Sequence, residues 1–148
     1  MPRLKSKPQA IPALIGWRER VSLPELGVGI ITAKVDTGAR TAALHATDIR
    51  IHGRDVRFIV PVKGRHHHCS LPLKGRKRVK STSGHSQSRA VVETEVKIGA
   101  ARFKIDITLT DRSDMGVPML LGRASVQGRY AVDPGKSFIL TPKKRKPK

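Results

Sequence analysis

Acidic, aromatic and sulfur-bearing residues are all scarce in this chain, and each scarcity excludes something. The aromatic residues are Trp17, Phe58, Phe103, Tyr130 and Phe138. They are too few to build a stacking platform for sequence-specific recognition of single-stranded nucleic acid. They also leave the interior to Val, Ile, Leu and Ala, which favours thin, sheet-based packing. The single cysteine, Cys69, excludes an internal disulfide and fits a reducing compartment, so the cytoplasm is the expected location. Long apolar runs are missing too. The patch from Ala10 to Gly16 is too short to span a bilayer, is interrupted by Pro12, and is followed by no convincing small-residue cleavage site, so no membrane partner is expected.

Against 11 acidic residues stand 30 basic ones, for a net charge of +19. Three acid-free stretches, Pro2 to Pro8, Lys74 to Lys80 and Pro142 to Lys148, hold thirteen of those cations. Blocks of like charge repel and resist burial, so these stretches read as solvated tails and one exposed loop, capable of weak contact with RNA or the ribosome. At 148 residues the chain suits one domain. The expected division is a basic flexible tail over 1–10, one folded domain over 11–141 and a second basic tail over 142–148.

Between those tails the chain reads as short extended segments punctuated by Gly and Pro. Candidate strands are Ile15 to Leu23, Gly29 to Val35, Ala43 to His52, Val56 to Val62, Ala90 to Ile98 and Phe103 to Thr110. The last two form a hairpin candidate across Gly99-Ala100-Ala101-Arg102. In its second arm Phe103, Ile105, Ile107 and Leu109 alternate with Lys104, Asp106, Thr108 and Thr110, predicting one face inward and one in water. Lys63 to Arg89 is polar, basic and glycine-bearing, and reads as a mobile excursion with a turn at Ser81-Thr82-Ser83-Gly84-His85. Arg123 to Arg129 is the one place for a short helix.

The most informative residues are Val35-Asp36-Thr37-Gly38-Ala39, entered from the apolar run Val28 to Ala33. Asp36 supplies a carboxylate at the end of a buried strand. Thr37 offers a hydroxyl able to lock one loop to a partner loop, and Gly38 removes a side chain where a substrate backbone must approach. Peptide hydrolysis by carboxylates needs a neutral and an ionised group side by side, one to protonate the carbonyl oxygen and one to activate water. Carboxylates about 3 Å apart cannot both ionise, so they share a proton. No second Asp-Ser/Thr-Gly occurs: Asp111-Arg112-Ser113, Asp114-Met115-Gly116 and Asp133-Pro134-Gly135 all depart from it. The second aspartate must come from a second chain, and a twofold homodimer would place Asp36 opposite its own mate.

Some eighty residues later comes Pro118-Met119-Leu120-Leu121-Gly122-Arg123. With Asp-Thr-Gly-Ala, this hydrophobic-hydrophobic-Gly-Arg run resembles the retropepsin-like aspartic peptidases. The chain is most similar to a bacterial subgroup that shares Gly16-Trp17-Arg18-Glu19, the segment Lys34 to Ala46, and Leu109 to Met115 leading into Leu120-Leu121-Gly122-Arg123. The resemblance covers about Ile15 to Leu140. It implies an all-β, closed acid-protease-like barrel with one short helix, a half-size lobe that dimerises, and an Asp36, Thr37, Gly38 catalytic loop braced by the later strand. It also places Ala39 and Arg40 at the cleft wall, and makes Lys63 to Arg89 a candidate flap with Ser83, Gly84 and His85 at its tip.

The same subgroup is also labelled an ATP-dependent zinc protease, and the residues lend that label little. Gly135-Lys136-Ser137 mimics the end of a phosphate-binding loop, but Tyr130 stands where the first glycine belongs and too few residues follow before Pro142 for a helix. No His-Glu-x-x-His exists, and the contiguous His66-His67-His68-Cys69 cannot all turn toward one ion from a regular strand. No metal and no cofactor are expected.

Retroviral relatives carry an acidic residue where this chain has Arg40. A cation there would attract carboxylates, so acidic peptides are the expected substrate class, unless Asp111 or Asp114 neutralises it. The resemblance is compatible, since the subgroup is associated with glutamate-ligase systems and with trimming oligoglutamate from a ribosomal protein. Two readings stay open against it. One is a noncatalytic basic β-barrel that binds RNA or the ribosome, with Asp36 as a turn residue. The other is an intact pattern that fails to pair because each chain brings +19 to its twin.

Overall fold

The computed structural model of the chain describes residues 12–80 and 84–142. It is an all-β structure with one four-residue helix. The strands are β1 (Ala13–Gly16), β2 (Arg18–Leu23), β3 (Val28–Val35), β4 (Ala42–His45), β5 (Thr47–His52), β6 (Asp55–Val62), β7 (Arg65–Pro72), β8 (Gly75–Lys80), β9 (Ser86–Ile98), β10 (Ala101–Thr110), β11 (Met119–Leu121) and β12 (Tyr130–Asp133). Helix α1 is Arg123–Val126.

Strands β10, β4, β11, β3, β2 and β9 pair in that order, and β9 pairs back onto β10, closing a six-stranded barrel. Closure removes the free edges that an open sheet must protect. Strand β8 extends this sheet beyond the first half of β9, β5, β6 and β7 form a separate three-stranded sheet, and β1 lies parallel to β12. Val, Ile, Leu and Ala dominate the core, with Phe58 and Tyr130 the buried aromatic residues, as the composition predicts.

Two expected strands are each broken in two. Ile15 to Leu23 bends at Trp17, whose N–H donates to the Lys136 carbonyl while its own carbonyl accepts from Val35 N, so the chain passes from β12 to β3. Gly16 permits this bend because a Cβ there would sit 2.4 Å from the Lys136 oxygen. Ala43 to His52 breaks at the buried Ala46, where the chain leaves the barrel for the three-stranded sheet.

The largest difference lies between Lys63 and Arg89. Instead of a mobile excursion, the described part forms β7, β8 and the start of β9. In β7, His67, Cys69 and Leu71 are half-buried while their neighbours are exposed, and Cys69 and Leu71 pack against the core. Histidine and cysteine carry an inward face that a search for aliphatic periodicity overlooks. Ser83, proposed for the tip, lies outside the described residues; Gly84 and His85 are exposed immediately before β9.

The β9–β10 hairpin forms as expected, but Thr108 and Thr110 are buried rather than in water. The end of β10 pairs with β4, and Thr108 Oγ1 donates to the Ala42 carbonyl at 3.1 Å. The expected helix from Arg123 to Arg129 is a single turn, followed by Gly128 at φ +81°. Strands β11 and β12 are too short to announce themselves by alternation. Among the described residues no helix is long and apolar enough to cross a membrane.

Glu19 has no exposed surface. Its carboxylate accepts from the N–H groups of Gly16 (2.7 Å), Ile139 (2.8 Å), Leu140 (3.2 Å) and Thr141 (2.9 Å), and from the Thr141 hydroxyl (2.6 Å). The C-terminal strap is thereby pinned over β2. Burial alone would raise the pKa of Glu19, but the Thr141 hydroxyl and the N–H donors together hold it below the ordinary 4.5. A depressed folded-state value means stabilisation that is full above the unfolded pKa and lost as pH falls through the folded one. Glu19→Gln should therefore cost about 3 kcal/mol near neutral pH. Urea midpoints recorded from pH 7 to pH 3 should show the two proteins converging on acidification. A constant gap across that window would remove Glu19 as the source.

Candidate active site

Strand β3 ends at Val35, opposite Leu121 of the parallel β11. The next residue, Asp36, donates its N–H to the Leu121 carbonyl at 2.9 Å, so the loop departs from a fixed point. Its own carbonyl accepts from Ala39 N at 3.2 Å, and its Oδ1 accepts from Gly38 N at 3.0 Å. The loop is thus folded on its first residue, with the carboxylate half-buried and the Thr37 side chain exposed. A Cβ on Gly38 would approach Asp36 Oδ1 to 3.2 Å, which supports glycine here on spatial grounds.

A second segment grips this loop. Arg123 N donates to the Ala39 carbonyl at 2.8 Å, Ala124 N to the Arg40 carbonyl at 2.9 Å, and Arg123 Nη1 to the Thr37 carbonyl at 2.8 Å. Gly122 makes the approach possible: a Cβ there would lie 2.6 Å from the carbonyl carbon and oxygen of Thr41 and 2.7 Å from the carbonyl carbon of Arg40. The two motifs, far apart in sequence, are one structural unit.

Ala39 and Arg40 lie in this unit as expected. Arg40 is exposed, and among the described residues neither Asp111 nor any other carboxylate pairs with it. It borders a cleft of about 540 Å³ with Thr41, Arg76, Lys77, Lys104, Asp106 and Arg129. Lys77 of β8 donates to Thr41 Oγ1 at 2.7 Å, a direct tie from the β8–β9 hairpin to the end of the Asp36 loop. Arg76, Lys77, Lys104 and Arg129 were not singled out by the sequence reading. Arg76 and Lys77 belong to the acid-free run from Lys74, expected as a solvated loop and found as a strand with two faces, whereas Lys104 and Arg129 carry no such local signal.

Among the described residues, the candidate zinc and nucleotide elements are engaged elsewhere. Strand β7 turns His66 and His68 to one face and His67 and Cys69 to the other. Burial pushes the Cys69 thiol up to about 11, away from the thiolate that a metal requires. Ser137 Oγ accepts from Arg18, and the Lys136 carbonyl from Trp17, so both residues serve the strap.

Comparison with known proteins matches residues 14–143 to a family model described as "RimB-like: Retropepsin-like aspartic endopeptidase RimB". Curated relatives include proteins named "Probable alpha-L-glutamate ligase" from Shewanella pealeana, 36% identical over 135 residues, and from Desulfotalea psychrophila, 37% identical over 135 residues. In both cases 86% of this chain is covered, but it spans only about 30% of the relatives' length. A solved structure of Lpg0085, a Legionella pneumophila protein of unknown function, is 33% identical with a TM-score of 0.73, covering 86% of this chain and 98% of that one.

The contact at Gly122 makes a stringent prediction. Gly122→Ala should destabilise the protein by about 3 kcal/mol, because backbone rather than a flexible side chain blocks the new methyl. Gly29→Ala, where nothing lies within 4 Å, should change stability by less than about 0.5 kcal/mol. Denaturant midpoints of the two variants measure the contrast, and equal midpoints would mean that the loops are not closely packed.

Proposed function

Since the chain belongs to the RimB-like family of retropepsin-like aspartic endopeptidases, we propose that it is an aspartic endopeptidase whose two Asp36 carboxylates meet across a homodimer axis and cleave acidic, glutamate-rich peptides. The observation that carries this reading is the Asp36 loop itself. Its backbone is fixed by hydrogen bonds from both sides, while the carboxylate stays accessible. The Thr37 hydroxyl beside it is exposed and has no partner among the described residues, leaving it available to a second chain.

In such a pair the carboxyls share one proton. The ionised Asp36 takes a proton from water as the water attacks the peptide carbonyl, and the neutral one donates to the carbonyl oxygen. Collapse of the tetrahedral adduct then breaks the C–N bond, with a proton passing to the departing nitrogen. Two further observations support acidic substrates: Arg40 lacks a carboxylate partner, and similar segments occur within longer proteins named as glutamate ligases.

Asp36→Asn should abolish cleavage of a glutamate-rich peptide, lowering kcat by at least about a thousandfold, without lowering the thermal midpoint. Arg40→Glu should impair acidic peptides more than neutral ones. Specific activity of the native protein should rise with its concentration as dimers form. Undiminished cleavage by Asp36→Asn, or strong salt-sensitive RNA binding without any peptidase activity, would favour the noncatalytic basic barrel instead.

A further inference from the structure

We infer that the cleft formed by Arg40, Arg76, Lys77, Lys104 and Arg129 is a specificity subsite that holds the carboxylate side chains of an extended acidic peptide beside the Asp36 loop. This rests on the peptidase reading and assigns its recognition residues. Five cations border a space of about 540 Å³ with one carboxylate, Asp106, among them. That carboxylate is already engaged by Lys74, at 2.7 Å. Lys104 stands across the hairpin from Glu95, which would ordinarily neutralise it, but Glu95 is bound by Arg102. No described carboxylate pairs with any of the five.

Crowded like charges cost free energy until an anion relieves them, so the cleft is suited to an acidic ligand. Two of its cations are held in place by other contacts. Lys77 is tied to Thr41, and the Arg129 guanidinium lies 4.1 Å from the Phe103 ring centroid. Guanidinium groups accept carboxylates in paired hydrogen bonds, adding geometry to attraction. An extended peptide turns every second side chain to one face, about 7 Å apart. Alternate glutamates could therefore enter the cleft while the backbone continues toward Asp36. No aromatic side chain lines the space, which argues against stacked bases as its occupant.

The test uses the full chain carrying Asp36→Asn, so that binding is read without turnover. Fluorescein-labelled hexaglutamate, hexaglutamine and a short single-stranded RNA are titrated by anisotropy at constant salt. Arg76→Glu with Lys104→Glu, both at exposed positions, should raise the hexaglutamate Kd by at least about tenfold. The charge-matched pair Arg57→Glu with Arg65→Glu, both exposed on the separate three-stranded sheet, should raise it less than about threefold. Thermal midpoints accompany both, and Arg76→Gln with Lys104→Gln provides the same test if the reversal unfolds the protein. Equal weakening by the two pairs would reduce the effect to net charge, and no hexaglutamate binding, or loss confined to RNA, would overturn the inference. Binding that follows this pattern while Asp36→Asn fails to stop cleavage would discard the Asp36 mechanism and keep the subsite.

Discussion

Close backbone contact between Gly122 and Arg40-Thr41 is the constraint on which the candidate site depends. A loop ending a strand has many conformations available, and an aspartate at its tip would sample them all. Here β11 holds the first residue of the loop, the start of α1 holds its far side, and the Arg123 guanidinium holds its middle. Each hydrogen bond contributes only about 1 kcal/mol net. Their joint effect is positional, since a catalytic group is useful only when its geometry is settled before substrate arrives.

Charge is organised on the same principle of fixed position. Glu19 is sealed from solvent and fully occupied by donors, so it serves the fold. Its neighbours Arg18 and Arg20 spread over Trp17 and Phe138, using scarce aromatic rings as supports for cations. Ion pairs such as Lys74 with Asp106 and Arg102 with Glu95 consume acids along the outer face of the hairpin. With acids so few, each pairing determines which cations remain free, and those bordering the Asp36 loop are among them.

The Asp-Thr-Gly motif and its brace were legible because each is a local string with a chemical reason, and because both resembled one family. The barrel was legible in outline, since β3 carries an apolar run and β9 and β10 form a hairpin whose second arm alternates. What escaped were features set by partners distant in the chain. The break at Trp17 is caused by Lys136, the burial of Thr108 by Ala42, and the order in β7 by the barrel it lies against. The basic cleft escaped for a related reason. Lys77, Lys104 and Arg129 are far apart in sequence and become one surface only when β8, β10 and the turn after α1 converge.

The pin between Glu19 and the strap joins residues about 120 positions apart. During synthesis, Glu19 would emerge early and stay hydrated, with only the nearby Gly16 N–H to accept from, until Thr141 had cleared the ribosome. Strand β1 waits equally long for β12. Long-range pairings of this kind are slow to form. Closure of the barrel itself needs the chain only as far as β11, whereas the strap and the β1–β12 pair can dock only after Thr141 has been made.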